Sequence, residues 1–461
     1  MIGMGENEEL ESLRHQVRDI TAQIMRNVHQ RMELAKHIGK IKNKLGIEVK
    51  DEKVERDIRL MVLSLADDLG MGRDFAVQLL NILLVESEQL QGQKRPTKGQ
   101  KQTHLSIFKK AKQLEASGKR VIHMEVGEPD YSPPPVVGKS LAMSFKRRQY
   151  HYTDTRGIPK LRDAIAKREN ISENQVLVTP GGRFAVFSAI TSLLKAGQEL
   201  LVVEPAWPAY KECADFIGAR TKVLSTTIQN KWVPDLKQLE EMLNPGTKMI
   251  VLNYPNNPTG KVLDHKNLEK IVSIAREFDL YVLSDEVYAD YAFKKFTSIG
   301  EHAYDKSILV SSFSKRYAMT GFRVGYAAAS TDIITKMAKV QAVGITSVAE
   351  PMQQAALAAL REDPSQNVKT MKKRLDFVST KLKEMSLRFV EPEGAMYVYP
   401  QLPKGEDIEL VEKLLEKGVA IAPGSGFGDN YKQFVRISAC QPHKTLDKGL
   451  DIMASVMMES G

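Results

Sequence analysis

Apolar residues in the first ninety positions recur in steps of three and four. From Glu6 to about Leu45 they fall at Leu10, Leu13, Val17, Ile20, Ile24 and Val28, then at Leu34, Ile38, Ile41 and Leu45, which predicts one long amphipathic helix. Leu45-Gly46-Ile47 ends it, and the same period predicts a second helix over about Glu52 to Leu69 and a third from Asp74 to about Leu90. Helices of these lengths bury little surface alone, so a partner is expected, in the first place another copy. Leu105 to Ser117 repeats the helical pattern; from Val121 the pattern changes. Val121–Val126, Val176–Thr179, Leu200–Glu204, Met249–Asn253, Tyr281–Ser284 and Ile308–Ser312 are short β-prone runs separated by helical stretches. That alternation predicts a mostly parallel sheet covered on both faces, with ligand groups collected beyond the carboxyl ends of its strands.

A chain of 461 residues exceeds one ordinary core and suggests two or three domains. Its apolar content of 42% is that of a globular protein. No apolar run reaches the roughly eighteen residues of a membrane helix, and the N-terminal stretch is acidic, so a cytoplasmic protein without a membrane partner is expected. The two cysteines, Cys213 and Cys440, have no CxxC and no histidine at ligand spacing, which indicates neither a metal site nor a disulfide framework. Of the net charge of +9, most sits between Gly92 and Arg120, where nine Lys or Arg face only Glu115. This basic stretch has little aromatic interleaving, so nucleic acid is not an expected partner. Residues 1–93 then form a first domain, 94–104 a basic linker and 105–461 a second part.

Polar positions narrow the reading of the helices. Arg31 and Lys42 are eleven apart, which returns to nearly the same helix face about 16 Å further on. Ser87 and Gln91 form an i,i+4 pair. Alone, such residues describe a solvated face. Together Leu13-Arg14, Gln30-Arg31-Met32-Glu33-Leu34-Ala35, Ile38-Gly39-Lys40-Ile41-Lys42 and Glu86-Ser87 with Gln91 resemble the AroQ-type chorismate mutases, over Glu6 to Gln93. The resemblance implies an all-α three-helix domain forming a dimeric bundle. It assigns Arg14 of the neighbouring subunit, Arg31 and Ser87 to the two carboxylates of chorismate, Lys42 and Gln91 to the ether oxygen, and Asp51 and Glu55 to the ring hydroxyl. Such a rearrangement is unimolecular and needs only positioning and charge. Val54 stands where the family carries an arginine. A non-catalytic module that senses a ligand or holds a dimer is therefore the alternative.

In the second part, Lys315 lies in the Ser-rich turn Ser311-Ser312-Phe313-Ser314-Lys315 behind a β-prone run, with Arg323 eight residues later. By itself that lysine is equally an ordinary solvated cation. Upstream lie Gly127-Glu128-Pro129-Asp130, Tyr152 ahead of Gly157 and Leu161-Arg162, Thr179-Pro180-Gly181-Gly182-Arg183, and Glu204-Pro205-Ala206-Trp207-Pro208. Asn253-Tyr254-Pro255-Asn256-Asn257-Pro258-Thr259-Gly260, Ser284-Asp285-Glu286-Val287-Tyr288 and Val435-Arg436-Ile437-Ser438 complete the set.

This set resembles the class I and II aminotransferases of pyridoxal-phosphate fold type I, from about Leu105 onward. The resemblance implies a large α/β domain over about 150–345 and a small α+β domain built from the segment before it and about 346–461. It also implies pyridoxal 5'-phosphate as cofactor. Lys315 would be the Schiff-base lysine and proton carrier, Asp285 would lie beside the pyridine nitrogen, and Asn257 and Tyr288 would donate to the phenolate oxygen. Trp207 would stack on the ring, while Gly181, Gly182, Ser312, Ser314, Arg323 and Tyr152 of the neighbouring subunit would hold the phosphate. Gly127, Asn257 and Arg436 would meet the substrate α-carboxylate, and Arg183 the distal carboxylate of a dicarboxylic substrate.

Pro423-Gly424-Ser425-Gly426-Phe427-Gly428 lacks the helix and following acid of a dinucleotide fingerprint and matches the family's own loop, so NAD is not expected. The expected protein is a homodimer or higher homo-oligomer acting on small molecules. It would convert chorismate to prephenate and move an amino group from glutamate or aspartate to prephenate, phenylpyruvate or 4-hydroxyphenylpyruvate. An aspartate or aromatic aminotransferase with a non-catalytic first domain is the alternative.

Overall fold

The structure, a computed structural model, describes residues 3–47, 52–91 and 104–459. The chain divides into two compact units, Met1–Gln100 and Lys101–Gly461.

The first unit contains α1 (Gly3–Leu45), α2 (Glu52–Asp68) and α3 (Arg73–Leu90). Gly46 takes a φ of +65° and ends α1. Only the second half of α1 is covered within the unit. Met32 and Ala35 are buried there with Ala66 of α2 and Ala76, Val77, Leu80 and Leu84 of α3. Leu10, Leu13, Val17, Ile20 and Ile24, on the first half, are exposed, so the apolar stripe that predicted the helix is twice as long as the packing it receives here. Gly39 sets the approach of α3: a Cβ there would stand 2.5 Å from Gln91 Cα. Asp51 lies outside the described residues.

The second unit begins with α4 (His104–Ala116), β1 (Ile122–His123), α5 (Pro135–Lys146) and α6 (Pro159–Glu169). Then come β2 (Val176–Thr179), α7 (Gly182–Leu193), β3 (Glu199–Glu204), α8 (Ala209–Phe216), β4 (Arg220–Ser225) and β5 (Thr247–Asn253). β6 (Tyr281–Asp285), β7 (Ser307–Ser312) and β8 (Gly325–Ala329) complete a seven-stranded sheet of order β2-β8-β7-β6-β5-β3-β4. β3 to β7 pair in parallel, and β8 runs antiparallel between β2 and β7. Two apolar cores flank this sheet. One holds Val178, Leu201, Ile250 and Val282, the other Leu200, Val202, Val251 and Leu283, the alternation expected when both faces are covered.

A third core, with Ile107, Met124, Leu375 and Val435, supports β9 (Tyr397–Val398), β10 (Val419–Ala420), β11 (Ala422–Pro423) and β12 (Val435–Ser438). β1 pairs with β10 in parallel, and β12 joins β11 to β9 antiparallel. The helix Glu350–Ala359, placed by the sequence with the small domain, contributes Ala355, Ala356 and Ala359 to the core shared with Val137 and Ile158. The large core therefore takes in residues on both sides of the expected border. The run expected as a strand over Val121–Val126 is a strand only at Ile122–His123, because the carbonyls of Glu125 and Gly127 bond to the side chains of Arg436 and Lys315. β8, Gly-Tyr-Ala-Ala-Ala, carries no β-branched residue and is a strand because neighbours pair with it on both edges. No helix among the described residues is long and apolar enough to cross a membrane.

Gly39→Val would drive a side chain into the Gln91 backbone, which cannot yield as a flexible side chain does. Thermal unfolding of the first unit is expected to show a loss of about 2 kcal/mol, whereas the same change at Gly72, with open space around it, leaves that transition within about 1 kcal/mol.

Candidate active site

The carboxyl ends of β5, β6 and β7, the start of α7 and the strand β12 enclose a cleft of about 230 Å³. Gly127, Gly182, Arg183, Trp207, Asn257, Asp285, Tyr288, Ser312, Ser314, Lys315, Arg323 and Arg436 all line it. The sequence separates these residues by as much as 309 positions, Gly127 to Arg436, and strands ending on one side bring them together.

Asp285 ends β6, buried. Its Oδ2 accepts from the Tyr210 hydroxyl at 2.7 Å, and Val287 N–H approaches Oδ1 at 3.4 Å. Burial pushes the carboxyl up to about 6, against the pull of Tyr210 and of the Lys315 charge. Such a group calls for a cation or a polarised N–H facing it from the cleft.

At the other end, Gly181 adopts a φ of +82°, and a Cβ there would lie 2.6 Å from Arg323 Nη2. Only glycine lets the guanidinium come so close to the first turn of α7. Arg323 itself holds a φ of +54° and donates to the Thr320 carbonyl at 2.8 Å. Ser312 Oγ accepts from Ser314 N–H at 3.1 Å. A twelve-residue helix start, two hydroxyls and a guanidinium on one wall make an anion site.

Lys315 Nζ donates to the Gly127 carbonyl, and burial lowers its pKa from the ordinary lysine value. Arg436, 1% exposed, has its guanidinium carbon 4.3 Å from the Tyr397 ring centre and 4.9 Å from that of Phe427. It donates to Asn257 Oδ1 at 2.9 Å and to the Glu125 carbonyl. Both acceptors are neutral, so a buried positive charge is left for an anion arriving in the cleft. Tyr288 and Tyr397 share a hydrogen bond of 2.7 Å between hydroxyls. A Cβ on Gly127 would stand 1.8 Å from the Tyr397 hydroxyl oxygen, so that position admits glycine alone. Arg183 stacks on the Trp207 ring at 4.3 Å. Tyr152 is 90% exposed and stands apart from the cleft lining.

Tyr210 and Tyr397 belong to the site and carried no sequence signal; Asn253 also belongs to it and lay inside a motif without being assigned a role. Asn253 Nδ2 donates to the Asp285 carbonyl at 2.9 Å and its Oδ1 accepts from Asn257 N–H at 2.9 Å. It ends β5 inside the run read as Asn253 to Gly260, and its neighbour across the sheet is Asp285.

In the helical unit, Arg31 Nη1 donates to the Leu83 carbonyl at 2.8 Å and to Ser87 Oγ, with burial lowering its pKa. Since Arg31 meets Ser87 and Gly39 meets Gln91, α1 and α3 run in the same direction, and Lys42 follows Gly39 by one turn. Glu55 opens α2, with Val54 beside it half exposed. Arg14 is not brought to this cluster: it lies seventeen residues, about 25 Å of helix, from Arg31 and pairs with Glu11 at 2.5 Å. Among the described residues no group of three or more His, Cys, Asp or Glu is placed to hold a metal ion.

Residues 119–452 match the family Aminotransferase class I and II, and residues 13–92 match Chorismate mutase type II. The chain is 38% identical to an aspartate aminotransferase of Thermotoga maritima over 357 residues, 75% of this chain and 94% of that protein. It is 32% identical to an aspartate/prephenate aminotransferase of Thermus thermophilus over 370 residues, 77% of this chain and 95% of that one. A solved aspartate aminotransferase of Thermus thermophilus with maleate superposes with a TM-score of 0.75 at 30% identity, covering 79% of this chain and 99% of the other.

The raised pKa of Asp285 has a sign that titration exposes. Folded, its carboxyl ionises near 6; unfolded, near 3.8. Ionisation thus costs the ligand-free protein nothing below about pH 4, and a penalty grows to ~3 kcal/mol as pH rises past 6. Asp285→Asn, which keeps an acceptor for Tyr210, is expected to unfold at higher temperature than the parent at pH 8, with the difference vanishing at pH 4. Equal melting temperatures at both pH values contradict a carboxylate held against its will.

Proposed function

The chain belongs to the class I and II aminotransferases and carries a chorismate mutase type II domain, and on that premise we propose that it rearranges chorismate to prephenate and then aminates prephenate to arogenate. Pyridoxal 5'-phosphate, the cofactor of this family, supplies when bound an electron sink that stabilises charge on the substrate α-carbon. The residues fit it. A buried carboxylate at Asp285 suits a protonated ring nitrogen, a glycine-lined helix start with Arg323, Ser312 and Ser314 suits a phosphate, and Trp207 offers a ring face.

Lys315 would hold the cofactor covalently at rest and, once displaced by the substrate amine, would carry a proton to and from the substrate α-carbon on Nζ. Burial lowers its pKa from the ordinary lysine value, in the direction that both tasks require. Asp285 would keep the ring nitrogen protonated, and Tyr288 and Asn257 would hydrogen-bond the ring oxygen. The buried Arg436, bonded only to neutral oxygens, is the observation that carries the reading: it takes the α-carboxylate shared by donor and acceptor, beside Gly127. Arg183 reaches the second carboxylate. Glutamate, aspartate and prephenate each carry one, so one cation serves donor and acceptor. The maleate of the superposed Thermus protein is likewise a dicarboxylate, and the related aspartate/prephenate aminotransferase combines these substrates by name.

In the first unit, Arg31 and Ser87 hold a chorismate carboxylate while Lys42 and Gln91 donate to the ether oxygen; Asp51 and Glu55 take the ring hydroxyl. Arg14 and Tyr152 stand away from the sites of their own chain, and the uncovered half of α1 supplies an apolar face. These features support reading the protein as a homodimer in which each copy completes the other's sites, placed in the cytoplasm.

Two variants separate the activities. Arg31→Ala is expected to slow chorismate consumption about a hundredfold, some 2.7 kcal/mol, without changing amino transfer. Lys315→Ala does the reverse. Unchanged chorismate turnover in Arg31→Ala would mean that the helical domain is a binding or assembly module.

A further inference from the structure

Outside the cleft, the end of β1 and the segment after it carry two titratable residues to which the reaction assigns no task. Glu125 is completely buried. Its Oε1 lies 2.7 Å from His123 Nδ1, and its Oε2 meets no hydrogen-bond donor. His123 in turn places Nε2 3.2 Å from Glu115 Oε1 on α4, where Lys112 pairs with the same carboxylate at 2.8 Å. The Phe108 ring of α4 packs 5.8 Å from the imidazole. The two carboxylates, Glu125 foremost, raise the imidazole pKa above its ordinary value, and the imidazole nitrogen faces a buried carboxylate oxygen.

The same segment carries two carbonyls that matter to the chemistry. That of Glu125 accepts from Arg436 and that of Gly127 accepts from Lys315. Its backbone is fixed on both sides by Met124, whose N–H bonds Ala420 at 2.8 Å and whose carbonyl accepts from Ser438 at 2.9 Å. Beyond Met124, His123 is the hydrogen-bond partner of the Glu125 side chain.

We propose that His123 and Glu125 form a positioning pair that sets the carbonyl of Glu125 and, through it, the guanidinium of Arg436. This rests on Arg436 being the group that grips the substrate carboxylate. Without the imidazole, the buried acid has no donor and the segment shifts to find one. Arg436 then loses a carbonyl that orients it, and every substrate presenting an α-carboxylate binds less well.

Steady-state amino transfer by the full chain with its cofactor tests this. His123→Leu is expected to raise KM for both the amino donor and the 2-oxo acid about tenfold, with kcat within about twofold. His123→Asn, whose amide donates in place of Nδ1, recovers KM to within about threefold. Glu115→Gln, which loosens only the outer contact, moves KM the same way by a smaller factor and serves if the leucine variant does not fold. Arg436→Lys is the control. If it raises KM and neither His123→Leu nor Glu115→Gln does, the positioning pair is wrong; if Arg436→Lys leaves KM unchanged, the carboxylate assignment fails and the pair with it. A loss confined to kcat or to soluble yield, with KM unchanged, also overturns the proposal.

Discussion

Asp285 sits at the end of a central parallel strand, buried, with one phenol and one distant N–H to meet its charge. Everything near it limits how that charge is answered. Tyr210 comes from α8 and Asn253 from β5; the side-chain amide of Asn253 pins the Asp285 carbonyl and its Oδ1 fixes Asn257. A carboxylate so placed is unfavourable for folding and useful for binding a ring cation. Its position between β5 and β7 puts it across the cleft from the anion-binding start of α7.

Arg436 is the mirror of this arrangement. It is a buried cation answered by neutral oxygens and two aromatic faces, stable enough to persist and unsatisfied enough to attract a carboxylate. Lys315 stands between the two, its amine made less basic by burial. The three charges are held by three different parts of the fold: β6, the turn after β7, and β12. The cleft works only when the sheet and the small β-structure around β12 are both formed, which explains why the segment Glu125–Gly127, bonded to two of them, matters beyond its length.

Much of this was legible in the sequence wherever chemistry is local. The glycines at 181 and 182, the lysine among serines and the arginine of β12 sit in short strings that, taken as a set, resemble the aminotransferases and so imply their use; the lysine or the arginine alone would not. The period of α1 was equally plain. What the sequence hid arises from pairing at a distance. Tyr210 and Tyr397 are ordinary aromatics until the fold sets their hydroxyls against Asp285 and Tyr288. β8 is a strand because two neighbours make it one. Glu125 reads as a strand residue until its carbonyl is found bonded to a side chain more than three hundred positions on. Arg14 and Tyr152 were legible in kind, and the structure places both away from the clusters of their own chain.

The joining of two activities in one chain is tested most directly by incubating the purified protein with pyridoxal 5'-phosphate, chorismate and nitrogen-labelled glutamate and following products by mass spectrometry. Labelled arogenate, formed without any other enzyme, is the predicted result. Prephenate accumulating unlabelled, or chorismate persisting at its spontaneous rate of loss, would contradict the claim that the two units perform successive steps.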